Sequence, residues 1–289
     1  MSLELNEFFF PEHDNEVVEL LEQYGDDALI LGGGTFIHSL DVWGLLSEVK
    51  LIDMQKLALD TVESDSEGLR VGATTRCAML TRGAATNSDP WLGAVHDAAT
   101  HLPLQVRNRA TVGGCIATAS PFFDLPVAFM ALDGAVMARG GGGLRRIRLG
   151  DLFAGLLQNS LERGEFLVEL RLPQAPPGSV SAFVKLARNA NDLAIVNAAV
   201  RLTLDTSGSC TDARVVLGGG VGSAPVRSAS AERVLQGARL DEDTLRAAGE
   251  AAVSDVDPLS DHRASSRYRK VVAGVLVRRA LERAIARVT

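Results

Sequence analysis

Apolar positions near the start of the chain follow first the period of a helix and then that of short strands. Asp14 is a candidate N-cap and Gly25 a candidate C-terminal stop for the first helix. Its apolar face consists of Val17, Val18, Leu20, Leu21 and Tyr24. Ala28–Leu31 predicts a buried strand, a helical stretch follows to about Trp43, and Val49–Asp53 predicts a second strand. This order predicts a small α/β lobe that ends near residue 60.

The middle of the sequence alternates between strand-like, helical and polar segments. Strands are predicted at 68–73, 135–139, 144–149 and 166–172, and helices at 77–85 and 92–100. Thr75 is a candidate cap for the first of these helices. The segment 104–114, rich in glycine and polar residues, is predicted as a loop, and the four glycines at 140–143 predict a hairpin tip.

Three prolines within residues 173–178 mark a linker between this part and a C-terminal domain. Strands of an antiparallel sheet are predicted at 181–185, 195–204 and 213–218, and helices at 229–236, 243–252 and 265–288. We therefore expect an α+β protein with three parts: an N-terminal lobe at 1–60, a second lobe at 61–175, and a C-terminal α+β domain at 176–289.

Composition and charge restrict the functional class. The chain has 289 residues, 46% of them hydrophobic, and a net charge of −7, which argues against nucleic-acid binding. Cys77, Cys115 and Cys210 are scattered and form no C-x-x-C pair, so neither a disulfide framework nor a metal site is expected. The longest apolar stretch, 125–138, is interrupted by Asp133 and is too short to span a membrane. The chain begins without a secretion-signal pattern, so a cytoplasmic location is expected.

The first candidate site is Gly32-Gly33-Gly34-Thr35, which directly follows a predicted strand. Consecutive glycines are costly in chain entropy, but they allow a sharp turn in which successive N–H groups point towards one phosphate. Thr35 adds a hydroxyl donor. A tight strand-to-helix turn without any ligand is an equally open interpretation of this motif alone.

A Rossmann dinucleotide site is the familiar alternative for such glycines. Gly32 and Gly34 have the required spacing, and Asp53 lies about 20 residues further on, as that fingerprint demands. The third glycine position, however, is occupied by Ile37, and the helical segment that follows is short. The match to a Rossmann fingerprint is therefore poor.

A second glycine motif, Thr111-Val112-Gly113-Gly114, follows the polar pair Arg107-Asn108. Two separate loops rich in N–H groups suit one diphosphate that is held from both sides. Asp124 comes shortly afterwards and is a candidate acceptor for sugar hydroxyls. The alternative for Asp124 is a cap on the apolar helix that follows it.

Five segments spread along nearly the whole chain form a combined pattern. They are Leu31-Gly32-Gly33-Gly34-Thr35; Val71-Gly72-Ala73-Thr74-Thr75; Val106-Arg107-Asn108-Arg109-Ala110-Thr111-Val112-Gly113-Gly114; Phe183-x-Lys185-x-x-Arg188 with Asp192 and Ala194; and Arg263-Ala264-Ser265-Ser266-x-Tyr268-Arg269 with Arg278-Arg279-Ala280-Leu281. In this combination the chain resembles the FAD-binding medium subunits of the molybdenum hydroxylases. That family includes carbon monoxide dehydrogenase, the xanthine dehydrogenases and 4-hydroxybenzoyl-CoA reductase.

The resemblance implies a two-lobed FAD-binding domain of the vanillyl-alcohol-oxidase type, covered by a C-terminal domain of the CO dehydrogenase flavoprotein type. By this resemblance, Gly32–Thr35 and Thr111–Gly114 hold the diphosphate, and Asp124 bonds the ribityl or ribose part. Leu31, Arg107 and Asn108 belong to the same cofactor site. Lys185 and Asp192 lie nearer the isoalloxazine ring. From the residues alone, Lys185 is equally a solvated strand residue and Asp192 a turn residue.

The implied function is that of an oxidoreductase subunit that transfers electrons and does no chemistry on the organic substrate. A large partner subunit carries the molybdenum cofactor, and a small partner subunit carries [2Fe–2S] clusters. The flavin exchanges electrons between those clusters and an external acceptor such as NAD⁺ or a quinone.

The chain departs from the family pattern at three places. Asn189 stands where many members have a second arginine, Cys115 where many have asparagine, and Phe122-Phe123 where small residues are common. These departures concern the electron acceptor more than the cofactor. Two alternatives remain: a self-sufficient flavin reductase related to the UDP-N-acetylenolpyruvylglucosamine reductases, and an assembly subunit that has lost FAD.

Overall fold

The computed structural model describes residues 5–46, 49–82 and 89–288. A sheet of three parallel strands in the order β1-β3-β2 occupies the N-terminal part. The elements of this part are β1 Leu5–Phe9, α1 Asp14–Tyr24, β2 Ala28–Leu31, α2 Thr35–Val42 and β3 Val49–Asp53. The glycine run at 32–34 is therefore the turn that joins β2 to α2.

Two details of this part differ from the sequence-based expectations. Strand β1 was not predicted because its sequence, LNEFF, has no regular alternation, and its pairing with β3 shifts register between Leu5 and Glu7. Helix α1 begins at Asp14, so the N-cap residue is His13, which makes no side-chain cap bond. The helix itself and its end at Gly25 are as predicted.

A five-stranded antiparallel sheet in the order β4-β5-β10-β6-β7 forms the second part. Its elements are β4 Val62–Asp65, β5 Gly68–Gly72, α3 Gly93–Thr100, α4 Leu104–Arg109, α5 Val112–Ala117, α6 Leu125–Ala131, β6 Ala135–Gly140, β7 Gly143–Arg148, α7 Leu149–Leu152, β8 Phe153–Gly155, β9 Gln158–Asn159 and β10 Phe166–Pro173. The glycine hairpin predicted at 140–143 joins β6 to β7.

The predicted loop at 104–114 is wrong, because this segment forms α4 and the start of α5. Thr111 explains the second helix: its hydroxyl accepts a hydrogen bond from the Gly114 N–H, which caps α5. The helix predicted at 77–85 is a short 3₁₀ turn, Cys77–Thr81, and residues 83–85 lie outside the described residues. Thr75 caps no helix, since its hydroxyl donates to the Thr61 carbonyl.

The C-terminal part is a four-stranded antiparallel sheet in the order β11-β12-β13-β14, packed against helices. Its elements are β11 Ser179–Leu186, β12 Val196–Leu204, β13 Cys210–Gly218, β14 Val226–Arg227, α8 Ala229–Leu235, α9 Glu242–Ala252 and α10 Ser266–Ile285. No helix in the part of the chain that the structure describes is long and apolar enough to cross a membrane.

The second and third parts share one apolar core. Phe183, Ala199 and Val216 from the C-terminal sheet pack into the same cluster as Ala98 on α3 and Phe129 on α6. Burial of these apolar side chains removes them from water and holds the two parts together. The C-terminal sheet is thereby fixed against α3 and α6 of the second part.

A buried carboxylate, Asp97 on α3, adds polar bonds across the same boundary. Its oxygens accept hydrogen bonds from the Phe183 N–H at 3.1 Å, Arg283 at 2.6 Å and Arg287 at 2.7 Å. Only 2% of the residue is exposed. Because a buried charge is tolerated only when it is paired, Asp97 ties α3 to β11 and α10.

Replacing Asp97 with alanine is expected to lower the free energy of unfolding by about 2–4 kcal/mol, since two arginines and one buried N–H group lose their acceptor. Thermal unfolding, monitored by circular dichroism, measures the effect. The matched control is Asp243→Ala, which removes a carboxylate from an exposed ion pair with Arg246 and should cost less than about 0.5 kcal/mol. Equal losses in the two variants would contradict the role given to Asp97.

Candidate functional site

A cavity of about 640 Å³ lies where the three parts of the molecule meet. Its volume is within the usual range for a small-molecule or cofactor site. The wall includes the β2–α2 turn, the start of α5, the β8–β9 hairpin and the end of β11. Of the residues expected at a site, Gly32, Gly33, Gly34, Thr35, Thr111, Gly113, Gly114, Asp124, Lys185 and Asp192 line this cavity.

The two glycine segments lie against one another. A Cβ atom added to Gly32 would lie 2.7 Å from the Thr111 Oγ1 atom. One added to Gly33 would lie 2.8 Å from the Ala110 Cα atom and would collide with the Arg109 carbonyl oxygen. Gly34 has a φ of +73°, a conformation that favours glycine. The triple glycine is therefore required by the close approach of two backbones as well as by the turn.

Unused hydrogen-bond donors are concentrated on the first glycine segment. The N–H groups of Gly33, Gly34, Thr35 and Phe36 donate to no acceptor among the described residues. They surround the N-terminus of α2, where the helix dipole also favours an anion. This arrangement is typical of a phosphate-binding turn.

The second glycine segment contributes in a different way from the one expected. Its N–H groups already have partners: Val112 donates to the Thr75 carbonyl, Gly113 to the Ala73 carbonyl, and Gly114 to the Thr111 hydroxyl. The Thr111 oxygen accepts that bond and retains its own hydrogen for donation. The segment therefore offers the cavity a bare backbone surface and one hydroxyl donor, rather than a set of free N–H groups.

A buried ion pair stands on the cavity wall between the second and third parts. The Lys185 Nζ atom on β11 lies 2.8 Å from the Asp124 Oδ2 atom, and their side chains are only 5% and 3% exposed. Asn197 on β12 donates to the other Asp124 oxygen at 2.7 Å. Asp124 precedes α6 but makes no cap bond, so the alternative of a helix cap is wrong. Lys185 is likewise not a solvated strand residue.

Charge compensation within this pair sets the electrostatics that it presents to the cavity. An isolated ammonium group would favour an anionic ligand, but the Asp124 carboxylate offsets most of the Lys185 charge at short range. The pair therefore presents a fixed dipole to the cavity. Asn197 was not identified from the sequence, since a single asparagine in a strand carries no distinctive pattern.

Asp192 lies on the cavity wall within a turn, as its alternative interpretation also expected. Its carboxylate accepts hydrogen bonds from Arg188 at 2.9 Å and Asn189 at 3.4 Å. Three other candidates, Leu31, Arg107 and Asn108, are not among the residues that line the cavity. Asn108 is exposed on α4, and the Arg107 Nε atom is buried without a partner in the described part of the chain.

The β8–β9 hairpin forms a part of the wall that sequence patterns did not reveal. Leu157 adopts a φ of +55° at its tip and lines the cavity. Asn159 also lines the cavity, and its amide donates to the Ala117 carbonyl at the end of α5 at 2.7 Å. The hairpin is thereby attached to the helix that begins with the second glycine segment.

Two of the cysteines that are scattered in the sequence meet in the fold. The Cys77 and Cys115 Sγ atoms lie 3.7 Å apart. The hydrogen bond with Cys115 and burial raise the pKa of the Cys77 thiol well above its usual value. Cys115 also lines the cavity.

Family models cover almost the whole chain. Residues 3–175 match the FAD binding domain in molybdopterin dehydrogenase, and residues 181–284 match the CO dehydrogenase flavoprotein C-terminal domain. The 6-hydroxypseudooxynicotine dehydrogenase complex subunit alpha of Paenarthrobacter nicotinovorans is 35% identical, over 93% of this chain and 91% of that protein. The carbon monoxide dehydrogenase medium chain of Afipia carboxidovorans is 33% identical, over 96% of each chain.

A solved structure of carbon monoxide dehydrogenase from Hydrogenophaga pseudoflava has the same fold. Its matching chain superposes with a TM-score of 0.94 at 30% sequence identity, and the superposition covers 99% of both chains. The quinoline 2-oxidoreductase of Pseudomonas putida matches with a TM-score of 0.90 at 27% identity.

Proposed function

Since this chain belongs to the FAD-binding medium subunits of the molybdenum hydroxylases, we propose that it binds FAD in the 640 Å³ cavity and works as an electron carrier. A large partner subunit holds the molybdenum cofactor, and a small partner subunit holds the [2Fe–2S] clusters. When bound, the flavin supplies the redox chemistry, moving electrons between those clusters and an external acceptor such as NAD⁺. The chain is thus part of an oxidoreductase.

One observation supports the cofactor assignment above the others: free N–H groups at the start of α2 face a second glycine segment that presents bare backbone. In the proposed site, Leu31 to Thr35 and Thr111 to Gly114 hold the diphosphate, with Arg107 and Asn108 on the neighbouring helix α4 as further cofactor-binding residues. Asp124 accepts sugar or ribityl hydroxyls. Lys185 and Asp192 lie nearer the isoalloxazine ring.

The proposed division of labour follows the three sheets. The lobe at 1–60 supplies the phosphate-binding turn, the lobe at 61–175 supplies the opposing wall, and the domain at 176–289 covers the ring. The protein groups bind and orient the cofactor and exclude water from it. We also propose a cytoplasmic location, which the three free thiols support because reducing compartments keep cysteines unpaired.

Cofactor discrimination tests the proposed site. The chain is freed of flavin and titrated with FAD and with FMN, and binding is followed by flavin fluorescence. FAD should bind at least about a hundredfold more tightly, because FMN lacks the diphosphate bridge and adenosine that the cavity would hold; this ratio corresponds to about 2.7 kcal/mol. Equal affinities would contradict a diphosphate site at the glycine segments. Failure to bind either flavin would favour a pure assembly subunit.

A further inference from the structure

Cys77 and Cys115 form a dithiol behind the cavity wall although 38 positions separate them in the sequence. Both are buried, and their Sγ atoms lie 3.7 Å apart. Cys77 opens the 3₁₀ turn Cys77–Thr81, whereas Cys115 lies on α5 just after the glycine pair. Because Cys115 also lines the cavity, one end of the dithiol faces the space proposed for the cofactor.

The backbone already holds the two cysteines side by side. The Cys77 N–H donates to the Ala110 carbonyl and the Val112 N–H donates to the Thr75 carbonyl, each at 2.9 Å. A disulfide has an S–S distance of about 2.0 Å, so the two sulfurs must approach one another by about 1.7 Å for the bond to form.

We propose that Cys77 and Cys115 are a redox-active pair whose state depends on whether the cavity is filled. In the empty chain a peroxide oxidises the pair to a disulfide, and bound FAD protects it. The protection rests on the proposed function, because it requires the cofactor to cover Cys115. The oxidation state of the Cys77–Cys115 pair would thus record whether the cofactor is bound.

The oxidation proceeds in two balanced steps. The Cys115 sulfur attacks one peroxide oxygen, the O–O bond breaks, and a sulfenic acid and one water form. The Cys77 sulfur then attacks the Cys115 sulfur and displaces the second water. In total two thiols lose two electrons and two protons, and the peroxide is reduced to two waters.

Cys210 provides an internal control. It is buried elsewhere, on β13, where its thiol donates to the Asp212 carbonyl oxygen at 3.4 Å. Burial raises the pKa of the Cys210 thiol to about 11, as it also raises that of Cys77. Cys210 therefore differs from the pair in its surroundings, because its sulfur contacts a carbonyl oxygen and not a second thiol. The sequence holds no further cysteine, so any intramolecular disulfide other than Cys77–Cys115 must include Cys210.

The test compares FAD-loaded and FAD-depleted full-length chain treated with hydrogen peroxide, followed by blocking of free thiols and peptide mass spectrometry. The Cys77–Cys115 disulfide should form at least about tenfold faster in the depleted chain, and added FAD should restore protection. Cys77→Ser should abolish the cross-link, and Cys210→Ser should leave it unchanged. The comparison of FAD-loaded with FAD-depleted wild-type protein does not depend on whether any variant folds.

Two results would overturn the proposal. Oxidation of Cys115 to sulfinic acid without a cross-link would show that the pair is only a packed contact. A disulfide that forms equally fast with and without FAD would refute the dependence on loading. Flavin fluorescence in the same samples separates this second result from a failure of the proposed function, because it reports whether FAD was bound at all.

Discussion

Alanine at Gly33 is expected to remove most of the bound flavin and to destabilise the chain. The added Cβ atom would meet the Arg109 carbonyl and the Ala110 Cα, both of them backbone atoms that cannot rotate away. The two glycine segments must then separate. Overpacking of this kind costs about 1–3 kcal/mol of stability, and we expect at least a tenfold loss of FAD affinity. Thermal unfolding and the flavin absorbance per chain measure the two effects.

The matched control is Gly142→Ala. Gly142 lies in the tip between β6 and β7, where an added Cβ atom would meet no atom within 4 Å. The Gly142→Ala substitution should leave the flavin content unchanged and alter the free energy of unfolding by less than about 0.5 kcal/mol. A Gly33→Ala protein with the stability and flavin content of the control would show that the two segments are not packed together as described.

The second large effect is expected at the ion pair of Asp124 and Lys185. Removing one partner leaves a buried charge uncompensated, which costs about 3–5 kcal/mol. Lys185→Met and Asp124→Asn should therefore each destabilise the chain strongly. The double variant should lose less than the sum of the two single losses, since it leaves no orphaned charge. Chemical denaturation of the four proteins gives the coupling energy.

The same variants should shift the flavin potential in opposite directions. Asp124→Asn leaves the ammonium group uncompensated and should raise the potential, whereas Lys185→Met leaves the carboxylate and should lower it. A shift of about 30 mV corresponds to about 1.4 kcal/mol for a two-electron couple and is measurable by spectroelectrochemistry. Arg246→Met, which removes an exposed cation on α9, should leave the potential unchanged. An unchanged potential in both variants would place the pair away from the flavin ring.

Periodic and local signals made most of the fold predictable. The strands β2, β3 and β10 to β13 and the helices α8 to α10 follow alternation or helical spacing closely enough to be read directly. The sequence of segment 104–114 wrongly predicts a loop, because glycine and polar residues lower helix propensity. In the fold, the Thr111 cap and the contact with the β2–α2 turn stabilise the helices of this segment.

Only part of the site can be predicted from the sequence, and the reason is physical. The sequence identifies Gly32 to Gly34 and Asp124 because they belong to motifs of adjacent residues. Asn197, the β8–β9 hairpin and the pairing of Cys77 with Cys115 depend on contacts between segments distant in sequence. No periodicity along the chain records such contacts. The same limitation concealed that the N–H groups of the second glycine segment are already bonded.

The cavity wall joins segments that are synthesised at very different times. The β2–α2 turn, which we propose binds the diphosphate, emerges early from the ribosome, whereas Lys185 and Asp192 follow only after both lobes have been translated. Domains fold as units from the N-terminus during synthesis, so an incomplete chain can offer the cofactor an open groove but not a closed site. In the proposed site, flavin capture is consequently coupled to the last folding step. A chain truncated before β11 should fail to retain the cofactor even if its first two sheets form.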